Sequence, residues 1–183
     1  MAFGFFKKNK ENKSGTSDKY HNLEVKEIIQ ETADAITIVF AQPENKITYK
    51  SGQFLTLIVP IDGKEVRRAY SLSSSSYVDE DLAVSIKRVD GGLMSNYLPD
   101  HLKVGDTVKI MEPMGTFTTD FDASNKRHLI QFAGGSGITP MLSIIKSTLT
   151  QEPDSIVSLI YCNRNIDSII FKETLAKLET NYE

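Results

Sequence analysis

The chain has 183 residues, with 21 lysines and arginines against 24 aspartates and glutamates, for a net charge of −3. That length accommodates one large domain or two small ones, and the near balance of charge excludes nucleic-acid binding driven by bulk electrostatics. Hydrophobic content of 40% is ordinary for a soluble globular protein, and no apolar run is long enough to span a bilayer.

The opening stretch, Met1-Ala2-Phe3-Gly4-Phe5-Phe6-Lys7-Lys8, places its apolar residues before its lysines. A secretory signal has the opposite order and a longer apolar core. Residues 1–18, rich in Lys, Asn, Ser and Gly, read as a mobile leader. The following half reads as β. Ile36, Ile38 and Phe40 alternate with Thr37 and Val39, and Phe54 to Val59 is an apolar run bounded by Gly52 and Pro60. Val66 to Leu72 follows an Asp62-Gly63 hairpin signal. Leu82, Val84 and Ile86 alternate with Ala83, Ser85 and Lys87, and Thr107 to Met111 follows the Gly105-Asp106 turn. Short strands punctuated in this way predict an antiparallel sandwich or barrel. A short helix from near Ser95 to Leu102 interrupts them, limited by Pro99.

The period then changes. His128 to Ala133 is a buried-strand pattern, and Met141, Leu142, Ile144, Ile145 and Leu149 recur at helical spacing. Ser155 to Tyr161 reads as a second strand, and Ile169, Ile170, Phe171, Leu175 and Leu178 as the apolar face of a second helix. Strand, helix, strand, helix predicts a parallel sheet. The boundary falls in the polar stretch Asp122 to Lys126, which divides the chain into residues 19–123 and 124–183. Two parallel strands make a poor sheet, so the chain reads as the front part of a longer protein.

Cys162 stands alone, so no internal disulfide forms, which fits a reducing cytoplasm. Ordinary iron–sulfur clusters need several cysteine thiolates, which this chain lacks. His21, His101 and His128 are scattered without metal-ligand spacing, and no metal site is expected. Ser73 to Ser76 is the one low-complexity patch.

Three motifs carry chemistry. Arg68-Ala69-Tyr70-Ser71 places Arg68 and Tyr70 on one face of a strand. An arginine binds phosphate bidentately, a tyrosine ring stacks on a planar heterocycle, and a serine hydroxyl donates to a ring nitrogen. An exposed arginine beside a tyrosine packed at a barrel end fits the same residues. Gly91-Gly92-Leu93-Met94-Ser95 opens a helix, and a helix N-terminus suits a phosphate. A plain glycine turn with a serine cap fits too. Gly134-Gly135-Ser136-Gly137-Ile138-Thr139-Pro140 joins a strand to a helix, with Pro140 in the first turn and Thr139 as a candidate cap. Gly135 and Gly137 match the first glycines of the Rossmann fingerprint, but Pro140 replaces the third, and Cys162, Asn163 and Arg164 stand where an acidic residue is expected. At the carboxyl end of a parallel strand, Arg164 is placed to meet an anionic ligand; a solvated loop arginine is the alternative. Lys87 either lines the same groove as Arg68 or is a solvated edge lysine.

In order and spacing these motifs, with Val84-Ser85-Ile86-Lys87, Glu112-Pro113-Met114-Gly115-Thr116-Phe117 and Ser168-Ile169-Ile170-Phe171, resemble the ferredoxin–NADP reductase family of flavoproteins. The resemblance runs from about Tyr20 to Glu183. It is similar in detail to reductase components of bacterial multicomponent oxygenases of the phenylacetyl-CoA epoxidase type and to the reductase half of flavohaemoglobins. It implies a six-stranded antiparallel FAD-binding barrel followed by an incomplete parallel α/β nucleotide-binding domain. It further implies FAD as cofactor and NADPH or NADH as hydride donor. By resemblance, Arg68 binds the FAD pyrophosphate, Tyr70 stacks on the isoalloxazine with Ala69 beside it, and Ser71 lies near flavin N5. The backbone of Ile86 and Lys87 meets the ribityl or ribose region, and Gly91, Gly92, Leu93, Met94 and Ser95 seat the pyrophosphate. Gly134, Gly135, Gly137, Ile138 and Thr139 hold the nicotinamide nucleotide together with Asn163 and Arg164, Thr139 lying near both rings. The implied acceptor is an iron–sulfur domain, a ferredoxin or an oxygenase component, with a 2Fe–2S cluster only in a further C-terminal domain. The alternative reading is a flavin-binding module without hydride transfer.

Overall fold

The computed structural model describes residues 19–182. The leader expected over residues 1–18 lies outside them. Six strands form one antiparallel sheet: β1 (Tyr20–Thr32), β2 (Ala35–Phe40), β3 (Phe54–Ile61), β4 (Lys64–Ser71), β5 (Leu82–Lys87) and β6 (Thr107–Met114), in the order β4-β3-β6-β1-β2-β5. A bridge between Leu72 and Val84 brings the end of β4 against the edge strand β5 and closes the barrel. Its interior is filled by Leu23, Ile38, Phe40, Leu55, Leu57, Val84, Ile86 and Ile110. The β3–β4 hairpin turns on Asp62 and Gly63, both at positive φ (50° and 72°), as the right-handed twist of a two-residue hairpin requires.

The longest strand, β1, has no counterpart among the strands read from the sequence. Leu23 and Val25 begin an inward alternation, but a register shift between Val25 and Glu27 reverses its phase. The strand pairs with β6 through residues 20–24 and with β2 from Val25 onward, so its two halves obey different alternations.

Between β5 and β6 lies α1 (Leu93–His101), which starts two residues ahead of the predicted Ser95 and retains Pro99 in its last turns. Met94 and Leu98 enter the barrel core from this helix. The rest is β7 (His128–Gly134), α2 (Ile138–Gln151), β8 (Ile156–Cys162) and α3 (Lys172–Asn181), with β7 and β8 paired in parallel. The second predicted helix begins later than its apolar spacing indicated. Ile169 and Ile170 precede it, and Phe171 sits at its N-terminus in the left-handed region at φ 62°. Ile170 and Phe171 pack with Ile138, Leu142 and the barrel residue Ala35 in a second core that joins the two parts.

A buried carboxylate ties the segment entering β7 to the end of α2. Both oxygens of Glu152 receive donors: Arg127 from Nε (2.9 Å) and Nη2 (2.6 Å), Asn125 Nδ2 (2.7 Å) and Ser155 Oγ (2.9 Å). Burial by itself raises the Glu152 carboxyl. The Arg127, Asn125 and Ser155 donors outweigh it and hold the group below the usual glutamate range. A depressed folded value stabilises the fold at pH above the ordinary 4.5, and that contribution is lost as pH falls through the folded value. Glu152→Gln is therefore expected to cost about 2 kcal/mol at neutral pH, less than for a fully buried pair because Arg127 is partly exposed. The deficit shrinks towards zero in acid. Urea unfolding of both proteins across that range checks it, and a pH-independent deficit would refute the assignment.

Candidate functional site

The expected site residues fall on three elements that converge along β5. The end of β4 meets β5 through the Leu72–Val84 bridge and through Ser73 N–H donating to the Ala83 carbonyl (2.8 Å). The short 3-10 turn Gly135–Gly137 after β7 also packs against β5. The far end of β5 runs through Lys87 into the Val89–Gly92 loop that opens α1.

On β4, Arg68 and Tyr70 pair across to Leu57 and Leu55 and so share one strand face. Arg68 is exposed, and its Nη1 donates to the Arg67 carbonyl (2.7 Å). Its neighbour Arg67 is held by Glu65 (2.8 and 2.6 Å). Among the described residues, no carboxylate pairs with Arg68. Tyr70 is half-buried against the barrel core; burial raises its phenol, and the nearby Arg68 charge partly offsets this. Ala69 is exposed and Ser71 half-buried at the strand end.

At α1 no side chain caps the first turn. Ser95, read as a candidate cap, instead accepts from the Val89 N–H (3.3 Å). Gly91 holds φ 67°, and a Cβ on Gly92 would overlap Ser95 Oγ and stand 3.0 Å from the Val89 carbonyl. The turn therefore requires glycine, and it is closed by the Gly92 N–H donating to the Val89 carbonyl (2.9 Å), so the unpaired donors begin with the first helical residue, Leu93. Arg88 fixes this helix through Asp100 (3.1 and 2.5 Å) and the Asn96 carbonyl (3.1 Å). Leu93 is exposed, whereas the side chains of Met94 and Ile86 are buried in the barrel core, so these two residues present only their backbone outward.

A cleft of about 670 Å³ separates the two parts. Asp34, Lys87, Arg88, Val89 and Asp90 line it from the barrel; Gly134, Gly135, Ser136, Cys162, Asn163 and Arg164 line it from the other side. The structure thus brings Lys87, Gly134, Gly135, Asn163 and Arg164 together, while Arg68 lies outside this cleft. Lys87 is an ion-pair partner of Asp34 (3.6 Å), not a free edge lysine. The Asn163 amide has both Nδ2 and Oδ1 buried without a hydrogen-bond partner of good geometry, close to the Tyr161 hydroxyl. Tyr161, at the end of β8, donates to the Gly135 carbonyl (2.8 Å) and locks the glycine turn at φ 50°. Thr139 does not cap α2; Gly137 occupies that position. Ile138 and Thr139 are both buried, and the Thr139 hydroxyl donates back to the Ser136 carbonyl (2.8 Å). A Cβ built on Gly134 or Gly137 meets nothing within 4 Å, so the loop faces open space. Sequence reading missed Asp34, Arg88 and Asp90, because charged loop residues carry no periodic signal.

These features fit a dinucleotide with two anionic regions: an uncapped α1 turn where only glycine fits, an uncapped α2 turn facing space, and a cleft with cations on both sides. Comparison with known proteins agrees. Residues 21–119 match the family described as "Oxidoreductase FAD-binding domain" and residues 132–183 the "Oxidoreductase NAD-binding domain". The chain is 40% identical over 166 residues to a component of the 1,2-phenylacetyl-CoA epoxidase from Escherichia coli, covering 89% of this chain and 46% of the relative. It is 43% identical over 164 residues to the ferredoxin reductase component of a 3-ketosteroid-9-alpha-monooxygenase from Rhodococcus rhodochrous, covering 87% and 46%. Among solved structures, the flavohem-like FAD/NAD binding domain of nitric oxide dioxygenase from Vibrio cholerae superposes with a TM-score of 0.77 at 29% identity, covering 88% of this chain and 70% of that one. The chain spans about half the length of the curated relatives it matches. Among the described residues, no helix is long and apolar enough to cross a membrane. A closed antiparallel barrel followed by parallel strands and a glycine turn, with both family models matched in that order, places the chain in the FAD-binding oxidoreductase family, of the ferredoxin–NADP reductase fold.

Proposed function

We propose that this chain is the flavin- and nucleotide-binding part of a cytoplasmic NAD(P)H-dependent reductase that delivers electrons to an oxygenase partner. Division after Asp122-Ala123 gives a FAD-binding part, residues 19–123, and a nucleotide-binding part, residues 124–183. FAD, when bound, supplies the hydride-accepting and electron-releasing chemistry, and the chain's residues supply binding and alignment. Arg68 binds the pyrophosphate as a charge-assisted donor, and the uncapped first turn of α1, beginning at Leu93, completes its seat. Tyr70 offers its ring to the isoalloxazine, and Ser71 holds a hydrogen bond at the reacting edge. Asn163 and Arg164 receive the nicotinamide nucleotide across the cleft from Lys87. Thr139 acts on the glycine turn through Ser136. The reductase components among the relatives support an iron–sulfur or oxygenase acceptor.

The observation that carries this reading is the cleft: Lys87 and Arg88 from the barrel and Arg164 from the other part line one space beside the glycine turn. The purified chain is expected to be yellow or to take up added FAD, close to one flavin per chain. Stopped-flow mixing with NADH or NADPH is then expected to bleach the flavin band. A protein that stays colourless in excess FAD would end the reading. A flavin whose absorbance persists with both nucleotides would support the module without hydride transfer.

A further inference from the structure

The α2 helix presents hydroxyls at one spacing: Thr139, Ser143 and Ser147 lie four residues apart on a single face, and all three are buried. That face meets the barrel loops, where Ser51, Ser74 and Ser75 are also fully buried. Ser143 Oγ donates to the Ser74 carbonyl (2.6 Å), and Ser74 Oγ accepts from Tyr49 OH (2.8 Å) and the Ala83 N–H (3.1 Å). Ser147 Oγ donates to the Ser143 carbonyl (2.8 Å). A hydroxyl has one proton and two lone pairs, so Ser147 must accept from both Ser51 (2.6 Å) and Ser75 (2.8 Å). Every capacity of Ser147 is used, and both contacts cross from α2 to the barrel.

We propose that this buried hydroxyl network, centred on Ser147, is a positioning device that sets the separation of the two halves of the site, which rests on the flavin and nucleotide reading above. Ser73 to Ser75 follow Tyr70 and Ser71 after the single residue Leu72, and Thr139 stands two helical turns before Ser147 on the same helix. An apolar seam tolerates sliding, whereas hydrogen bonds fix distance and angle. Reacting atoms must approach to about 3–3.5 Å, and a displacement of about 1 Å costs on the order of 100-fold in rate.

Ser147→Ala tests this, with Ser51→Ala as a milder variant that removes one donor from the barrel side. Flavin reduction at saturating NADH or NADPH is expected to fall about 10- to 100-fold in Ser147→Ala while the FAD dissociation constant stays within about threefold. Adding Ser75→Ala to Ser147→Ala should cost little more, because the pair acts as a unit. Nitroxides on Cys162 and on Lys64→Cys report the separation itself: a narrow distance distribution in the parent should broaden in both variants. An unchanged distribution in both variants, an unchanged rate at saturating nucleotide, or a rate loss matched by FAD loss would overturn the proposal. A purely structural role would lower the melting temperature and leave the rate at 25 °C intact. If the parent chain is reduced by neither nucleotide, the functional reading fails, and the distance measurement alone decides the network.

Discussion

Replacing Arg68 with alanine is expected to lower the affinity for FAD by about 10- to 100-fold and the affinity for FMN by much less. The magnitude follows from charge-assisted hydrogen bonds of about 1.5–3 kcal/mol, with about 1.4 kcal/mol per tenfold change. The selectivity follows from chemistry: FAD carries a pyrophosphate and an adenylate half, and FMN a single phosphate. Two adjacent arginines supply an internal control. Arg67 is already engaged by Glu65, while Arg68 is exposed and contacts a neighbouring carbonyl. Arg67→Ala is therefore expected to leave FAD binding within about twofold, because an exposed ion pair is worth little. Raising the salt concentration should weaken FAD binding in the parent and much less in Arg68→Ala. Flavin fluorescence titrations with both flavins, in all three proteins, measure these constants. Equal losses for FAD and FMN, or equal losses for Arg67→Ala and Arg68→Ala, would remove the pyrophosphate role.

Most of the barrel was legible because its strands are short apolar or alternating runs between clear turns. Asp62-Gly63 is the sharpest case, since its positive φ values are what those residue types permit. Where the backbone departs from regularity, the pattern misleads. The shift between Val25 and Glu27 breaks the phase of β1, and a six-stranded barrel was expected from resemblance, not from reading that strand. Ile169, Ile170 and Phe171 show helical spacing, yet Phe171 adopts a left-handed conformation that periodicity does not encode. The serine patch shows a different limit. A run of serines reads as a polar loop, but Ser73, Ser74 and Ser75 are among the most buried polar residues of the chain. The signal lay elsewhere, in Thr139, Ser143 and Ser147 at helical spacing, which pairs with the run only once the two parts meet. Gly134, Gly135 and Arg164, which line the cleft, stood out in the sequence because phosphate chemistry demands particular residue types. Asp34 and Arg88 did not, because their place depends on tertiary packing.

Gly52→Ala is expected to destabilise the fold by about 2–6 kcal/mol, the sum of two separable costs. Gly52 sits at φ 96°, where any side chain is strained by about 1–3 kcal/mol. It also lies where three segments meet: an added Cβ would overlap the Phe117 carbonyl oxygen and stand 3.2 Å from Ile144 Cδ1 on α2. Neither a backbone carbonyl nor a buried helix gives way cheaply, which adds about 1–3 kcal/mol. Gly63 separates the terms, because it shares a positive φ (72°) but has nothing within 4 Å of an added Cβ. Gly63→Ala should therefore show the backbone cost alone, about 1 kcal/mol. Thermal unfolding should place Gly52→Ala about 10 °C below the parent and Gly63→Ala within about 4 °C of it. Equal shifts would mean that the Phe117 and Ile144 contacts carry no weight. Because Gly52 follows Ser51, whose Oγ lies 2.6 Å from Ser147 Oγ, a shift that relieves the overlap is expected to disturb that contact. The Gly52 variant should then also lose flavin reduction at temperatures where it remains folded, joining a packing defect in the barrel loop to the alignment of the cleft.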